Sequence, residues 1–240
     1  MNNRKFSRGD LMKAVAVRFL GAIVVLAAVF FLPAGTWNYW QGWVYMAVLL
    51  VPAAFVLAYF RRNDPALLER RMRTREREPQ QKLIIQLSVV WFFLVFLIPG
   101  FDRRFGWSSV PAAVVIAADV LVFLGYALVC LVFRENSYAS RIVEVEKEQR
   151  VISSGPYALI RHPMYAGVIV MYMFTPLALG SYWAMIPAPL IIPILVARIR
   201  NEEGVLLREL RGYADYVQKV RYRLIPGAWQ GGLGGRERGV

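Results

Sequence analysis

Thiol and imidazole are nearly missing from this chain, which holds one cysteine, Cys130, and one histidine, His162, in 240 residues. A lone thiol inside an apolar run builds neither an intrachain disulfide nor a cysteine metal centre, so Cys130 reads as a buried, inert thiol. There is no glycine-rich phosphate loop, no GxGxxG after a strand, no HExxH and no GxSxG. Their absence excludes the nucleotide folds of soluble enzymes, the zincin site and the hydrolase elbow. Acid is scarce too: 16 Asp and Glu stand against 29 Lys and Arg, a formal charge of +13.

Apolar residues are what the chain has in plenty, at 58%. That is far above a soluble domain and predicts an integral membrane protein. Four runs approach the roughly 20 residues that cross a bilayer: Ala14–Leu32, Gly42–Phe60, Leu83–Phe101 and Val110–Phe133. The first follows Arg4, Lys5, Arg8 and Lys13 but is longer than the roughly 7–15 residues of a signal-peptide core, so it reads as an uncleaved span. Arg18, one turn inside it, can snorkel to the interface.

Two 16-residue runs follow, Met164–Leu179 and Tyr182–Ala197, separated by Gly180-Ser181. They predict a helical hairpin. Pro176, Pro187, Pro189 and Pro193 fall within it, so the hairpin should be kinked and packed on neighbours that satisfy the freed carbonyls. The expected fold is all-α, a polytopic membrane helical bundle of about six spans.

The positive charge sorts by side. With an even number of spans and the N-terminus inside, 26 basic residues fall in cytoplasmic segments and 2 in the opposite loops. A nucleic-acid binder would gather such charge on a soluble face. Here it follows the positive-inside rule, so the expected partner is the lipid bilayer and no nucleic acid. Both termini are then cytoplasmic, and so are the Arg161-His162 loop and the Arg198–Glu203 segment. Trp37, Tyr39, Trp40, Trp43 and Trp107 fit an aromatic belt at the opposite interface.

Three segments lie outside the spans. Pro65–Glu78 is rich in Arg and Glu and reads as a solvated or headgroup-facing loop with helical character. Leu206, Leu210, Tyr213, Val217 and Val220 recur at spacings of 4, 3, 4 and 3, one apolar stripe of a helix lying on the interface or capping the core. Gly231–Val240 is glycine-rich and is expected to be disordered.

The residues that could do chemistry are few. Asp119 falls inside the fourth span, where a carboxylate is either functional or a hydrogen-bonded packing residue. His162 alone would read as a structural histidine. Its setting adds to it: Pro163 forces His162 out of helical geometry and can serve as the first residue of the next helix. The N–H groups of that helix end offer a partial positive charge to an anion, and Tyr157 and Tyr165 flank it. Arg198 and Glu202 are four residues apart and share one helical face. They are either a surface ion pair or the two halves of a site, with Glu202 accepting from ribose hydroxyls or an amino group and Arg198 gripping an anion bidentately.

The C-terminal half carries a composite pattern. It comprises Asn136, Val143-Glu144-Val145-Glu146-Lys147, Val151-Ile152, Gly155-Pro156-Tyr157, Arg161-His162-Pro163-x-Tyr165-x-Gly167, Arg198-x-x-x-Glu202-Glu203, Tyr213-x-x-Tyr216 and Arg223-x-x-Pro226. From Asn136 to Pro226 this resembles the isoprenylcysteine carboxyl methyltransferase family, whose wider group includes the membrane phospholipid methyltransferases. The resemblance implies a membrane enzyme that uses S-adenosylmethionine (SAM) without a Rossmann domain, in a pocket at the cytoplasmic face. It implies that Glu144, Gln149, Arg150, Val151, Ile152, Tyr157, His162, Pro163, Met164, Tyr165, Glu202 and Glu203 hold the cofactor. Arg198, with Glu202, would be catalytic and would face a lipophilic or prenylcysteine-like acceptor. The organisation implied is 1–135 for N-terminal spans, 136–226 for the cofactor and catalytic region, and 227–240 for a tail. The chain is shorter than the eukaryotic enzymes, with six expected spans rather than eight.

Two other readings remain. Membrane sterol and steroid reductases, which use NADPH, carry an Arg-His-Pro-Asn-Tyr-x-Gly-Glu pattern. Here Met164 replaces the Asn and Val168 the Glu, which favours methyl transfer. A non-enzymatic scaffold or transporter would be signalled by polar groups spread along the spans, and Asp119 is the sole clearly central acid.

Overall fold

The computed structural model describes residues 8–72, 79–140, 142, 145–146 and 148–230. Among them the order is α1 (Arg8–Ala34), α2 (Trp40–Asn63), α3 (Pro65–Met72), α4 (Pro79–Phe105), α5 (Ala112–Glu135), α6 (Pro163–Ala178), α7 (Ile191–Glu209) and α8 (Tyr213–Lys219). Three short 3-10 turns, Gly155–Ala158, Trp183–Met185 and Ala188–Leu190, lie between helices. Strands β1 (Tyr222–Ile225) and β2 (Ala228–Gln230) follow α8.

Five helical segments of the described residues are long and apolar enough to cross a membrane: Gly9–Ala34, Trp40–Asn63, Gln81–Phe105, Ala112–Glu135 and Trp183–Glu209. The apolar helix α6 is shorter. Their outer faces expose large side chains such as Val24, Phe55, Val90, Val120 and Leu124. Water would not tolerate so continuous an apolar surface, and lipid does.

The second run of the expected hairpin differs from its reading. Regular helix starts at Ile191, and Trp183–Leu190 is mostly two 3-10 turns. Pro189 sits in the second of those turns and Pro187 immediately before it, where missing N–H groups cost least. The exposed carbonyl of Pro187 is satisfied by the indole N–H of Trp91 on α4, at 2.8 Å.

The bundle closes most tightly between α5 and α6, where two glycines face each other. A Cβ on Gly125 would stand 2.7 Å from the Gly167 carbonyl oxygen, and one on Gly167 2.7 Å from that of Gly125. Only glycine at both positions lets the backbones approach so closely, as at small-residue contacts in membrane helices. Around this seam lies the main core, in which Phe30 of α1, Tyr45 of α2, Phe96 of α4 and Val122 of α5 are buried. Tyr45 shares a 2.7 Å hydrogen bond with Thr175 of α6.

Tyr39, expected in the aromatic belt, is buried instead, and its hydroxyl donates to the Leu179 carbonyl at 2.5 Å. Trp37, Trp40, Trp43 and Trp107 stay exposed at that end. Arg18 donates to the Met72 carbonyl at 3.0 Å, so it ties α1 to α3. Part of the expected Arg- and Glu-rich loop is helix α3, whose Leu67 and Leu68 bury against Leu11, Val15 and Phe60. Its remainder, 73–78, lies outside the described residues.

The single helix expected from the stripe at 206–220 is two helices. Gly212, at φ +84°, takes the left-handed conformation that glycine adopts at no steric cost, and the chain turns there. The stripe residues still form one cluster, with Val145 and Val151 packed on it. The strands are a departure from an all-α chain. They pair antiparallel around Pro226-Gly227, with Tyr222 opposite Gln230 and Ile225 opposite Ala228. The first residues of the expected tail are therefore β2, and residues 231–240 lie outside the described set.

Candidate functional site

The site begins with a turn that the sequence prescribes locally. Gly155 has φ +56°, a conformation L side chains rarely adopt, and a Cβ there would stand 3.0 Å from the Glu135 carboxyl carbon. Pro156 follows in the 3-10 turn Gly155–Ala158. Ser154 Oγ donates to Glu135 Oε1, which pins the turn to the end of α5. The next backbone groups turn outward to a strand. Arg161 N–H donates to the Tyr222 carbonyl and His162 N–H to the Arg223 carbonyl, each at 2.9 Å. Pro163 then opens α6 at a position where its missing N–H costs nothing.

Beneath this turn is a buried charge cluster centred on Glu203. Its Oε1 accepts from Arg161 Nε at 2.7 Å and lies 3.1 Å from His162 Nε2. Its Oε2 accepts from Arg223 Nε at 2.8 Å. Arg161 also donates to the Val220 and Arg221 carbonyls, at 2.9 and 3.2 Å. One carboxylate thus fastens the start of α6, the end of α7 and β1. Buried charges need such partners, and the cluster is satisfied from three sides.

The neighbouring residue faces the other way. Tyr165, in the first turn of α6, donates its hydroxyl to Glu202 Oε2 at 2.5 Å and accepts from Arg198 Nε at 2.8 Å. Gln81 of α4 braces the same stretch of α7 by donating to Asn201 Oδ1 at 2.8 Å. Arg198 and Glu202 therefore do not pair as a bare helix-surface couple. They meet through a buried tyrosine.

Arg198, Tyr165 and Glu202 form one wall of an open cleft with about 860 Å³ of empty space including its mouth. The loop after α5 supplies the facing wall. Asn136 Nδ2 donates to Tyr157 Oη at 2.9 Å, and Tyr216 Oη donates to the Tyr157 carbonyl at 2.8 Å. Burial pushes the Tyr157 phenol up to about 12 against the pull of the Asn136 bond, so it remains a neutral hydroxyl near pH 7. The loop is held from outside by α3. Arg70 meets Glu146 through two parallel bonds of 3.1 and 2.9 Å, and donates to the Ser137 carbonyl at 3.0 Å. Glu146 N–H in turn donates to Gln149 Oε1 at 3.1 Å.

Of the residues singled out in the sequence, Gln149, Arg150, Val151, Ile152, Tyr157, His162, Met164, Tyr165, Arg198 and Glu202 all line this cleft. Pro163 and Glu203 do not: the one starts α6 and the other holds the charge cluster behind the wall. Glu144 lies outside the described residues. The lining also includes Asn136, Tyr138, Ser140, Ile142, Arg161, Leu206, Leu210, Tyr213 and Tyr216, which sequence reasoning had not assigned to the site. Asn136, Tyr213 and Tyr216 belong to the composite pattern, and that was the signal available for them. Asp119 is buried in the bundle core, far along α5 from the cleft. Neither of its carboxylate oxygens has a hydrogen-bond partner among the described residues.

The cleft offers a ligand several kinds of contact. Val151, Ile152, Leu206 and Leu210 are apolar, Tyr157, Tyr213 and Tyr216 present ring surface, Glu202 is anionic, and Arg150 and Arg198 are cationic. The Tyr213 hydroxyl is buried with no hydrogen-bond partner among the described residues. A buried donor of this kind is ordinarily satisfied by a bound group or water.

The chain is 24% identical over 168 residues to the uncharacterized protein YpbQ of Bacillus subtilis (strain 168), a match spanning 68% of this chain and 95% of that one. Its fold superposes on the structure of the eukaryotic intramembrane Ras methyltransferase ICMT with a TM-score of 0.45, at 19% identity, covering 86% of this chain and 85% of the other. The model of the isoprenylcysteine carboxyl methyltransferase (ICMT) family matches residues 114–208, from the first turn of α5 to the end of α7. This matched stretch carries the Gly155–Ala158 turn, Arg161, His162 and Glu203 of the charge cluster, and the Tyr165 link between Arg198 and Glu202, so in it the chain is similar to the isoprenylcysteine carboxyl methyltransferase family.

Proposed function

We propose that the protein is an integral membrane methyltransferase that uses SAM and acts on a lipophilic acceptor bearing a carboxylate, of the isoprenylcysteine kind. The observation that carries this reading is the juxtaposition in one cleft of Glu202 and Arg198, opposite charges joined by the Tyr165 hydroxyl. Glu202 suits a cationic ligand and Arg198 an anionic one, so the cleft is built for two partners of unlike charge.

The lining fits SAM. Its adenine has apolar and aromatic surface to rest on in Val151, Ile152, Leu206 and the ring of Tyr157. The Tyr213 hydroxyl, without a partner among the described residues, finds one in a ligand rich in polar groups. Tyr157 receives a hydrogen bond from Asn136, which leaves its own O–H directed to a further acceptor. Gln149, Arg150 and Glu202 complete the set that would hold the polar ends. When bound, SAM supplies a methyl group activated by its sulfonium.

The protein's own residues then do three things. Arg198 orients the acceptor carboxylate, which is already ionised and needs no general base. Tyr165 fixes the guanidinium relative to Glu202 and so aligns the two reactants, and alignment supplies much of the barrier reduction in such displacements. Met164 and Leu206 line the cleft with apolar surface that keeps water from the reacting atoms. His162 shapes the turn through Glu203 and does not move a proton. With positive-inside topology, the termini and the cleft are cytoplasmic. The pocket then lies at the cytoplasmic foot of a hairpin made by α6 and α7. SAM enters from that side and the acceptor from the bilayer.

The test is transfer itself. Membranes containing the protein are incubated with methyl-labelled SAM, and the labelled lipophilic product is identified by mass spectrometry. Label in a carboxyl methyl ester, lost on Arg198→Ala, is the expected result. Full transfer by Arg198→Ala removes the role given to Arg198, and absence of any labelled product overturns the reading.

A further inference from the structure

A second cavity opens at the same end of the bundle, on the other side of α3. It has a volume of about 460 Å³ and is lined by Leu11 and Met12 of α1, Arg61 and Arg62 of α2, and Pro65 and Leu68 of α3. Its floor is apolar: Leu11 and Leu68 are buried in the satellite cluster with Phe60 and Leu67. Its rim is cationic. Arg61 and Arg62 are exposed, and among the described residues no carboxylate lines the cavity. Among the described residues neither arginine has a hydrogen-bond or ion-pair partner. The nearby Asp64 is turned away, its Oδ1 accepting from Leu67 N–H at 3.0 Å to cap α3.

The two arginines follow directly on the apolar run that ends at Phe60, so they stand at the membrane interface. A guanidinium fork matches phosphate oxygens bidentately. A free anion would gain only those charges. A lipid gains them and also lays its glycerol and upper acyl carbons on Leu11, Met12 and Leu68. We propose that this cavity binds the headgroup phosphate of an anionic phospholipid.

The placement gives such a lipid a route to the catalytic cleft. It would seat against Pro65 and Leu68, on the helix whose Arg70 holds Glu146 and Ser137 of the site loop. Arg71 of α3 stacks on Phe133 at 4.5 Å, which fixes the helix to the end of α5. Steadying α3 therefore steadies the wall that carries Gln149 and Tyr157. Lipid binding itself does not depend on the methyltransferase reading, so its test reads binding and loop exchange rather than transfer.

The full chain in detergent is titrated with phosphatidylglycerol, phosphatidylcholine or inorganic phosphate and followed by native mass spectrometry. The expected result is one phosphatidylglycerol held more tightly than phosphatidylcholine. Arg61→Gln with Arg62→Gln weakens it on the order of tenfold, and Arg103→Gln with Arg104→Gln at the opposite end leaves it unchanged. Inorganic phosphate at millimolar concentration does not displace it. Hydrogen exchange at residues 137–140 and 148–149 slows when phosphatidylglycerol is added to the native protein and does not slow in Arg70→Ala. Equal phosphatidylglycerol affinity in the Arg61 and Arg62 double variant, or displacement by inorganic phosphate, overturns the binding site. Unchanged exchange in the native protein on adding phosphatidylglycerol overturns its link to the loop.

Discussion

The Tyr165 hydroxyl stands between Arg198 and Glu202, donating to the carboxylate at 2.5 Å while it accepts from the guanidinium at 2.8 Å. Loss of that one oxygen in Tyr165→Phe leaves the ring packing in place and unlinks the two charges. A hydrogen bond to a charged group contributes about 1.5–3 kcal/mol. Transfer from labelled SAM should therefore fall by about 10- to 100-fold, with a modest drop in the unfolding midpoint of the same origin.

Glu202 and Glu203 should separate cleanly on substitution. Glu203→Gln strips the countercharge from Arg161, Arg223 and His162 in a buried setting, where breaking a pair costs about 3–5 kcal/mol. The thermal unfolding midpoint in detergent should drop sharply. Glu202→Gln removes a partly buried carboxylate at the cleft that has no part in the Glu203 cluster, so the midpoint should fall far less and SAM binding should weaken. Equal stability losses in the two variants would contradict this division.

The α5–α6 seam is tested by Gly167→Ala. The new methyl would meet the Gly125 carbonyl oxygen at 2.7 Å, and backbone yields poorly. Overpacking of this kind costs about 1–3 kcal/mol. A lower unfolding midpoint is expected, together with weaker transfer, since α6 carries Met164 and Tyr165 into the cleft. The same change at Gly21, which has open space around it, should be silent.

Much of this was legible beforehand, and the reasons are physical. A span needs only length and apolarity, so α1, α2, α4 and α5 fall where the hydropathy runs lie. The run Tyr182–Ala197 misled because hydropathy does not distinguish 3-10 turns from α-helix, although Pro187 and Pro189 were the warning. The β1–β2 pair was missed although Pro226-Gly227 between Leu224-Ile225 and Ala228-Trp229 is a turn signal. Its role in pairing with Arg161 and His162 is a long-range contact that no local pattern encodes. The adjacent acids show the limit most clearly. One residue along a helix turns a side chain by about 100°, so one glutamate faces the cleft and the other the buried cluster. Which is which depends on where α6 packs.

Calorimetric titration of the purified protein tests the central claim most directly. The account predicts that SAM and its demethylated product bind in one-to-one ratio, that Glu202→Gln weakens both at least about tenfold, and that NADPH shows no binding. Binding of NADPH without SAM would contradict it.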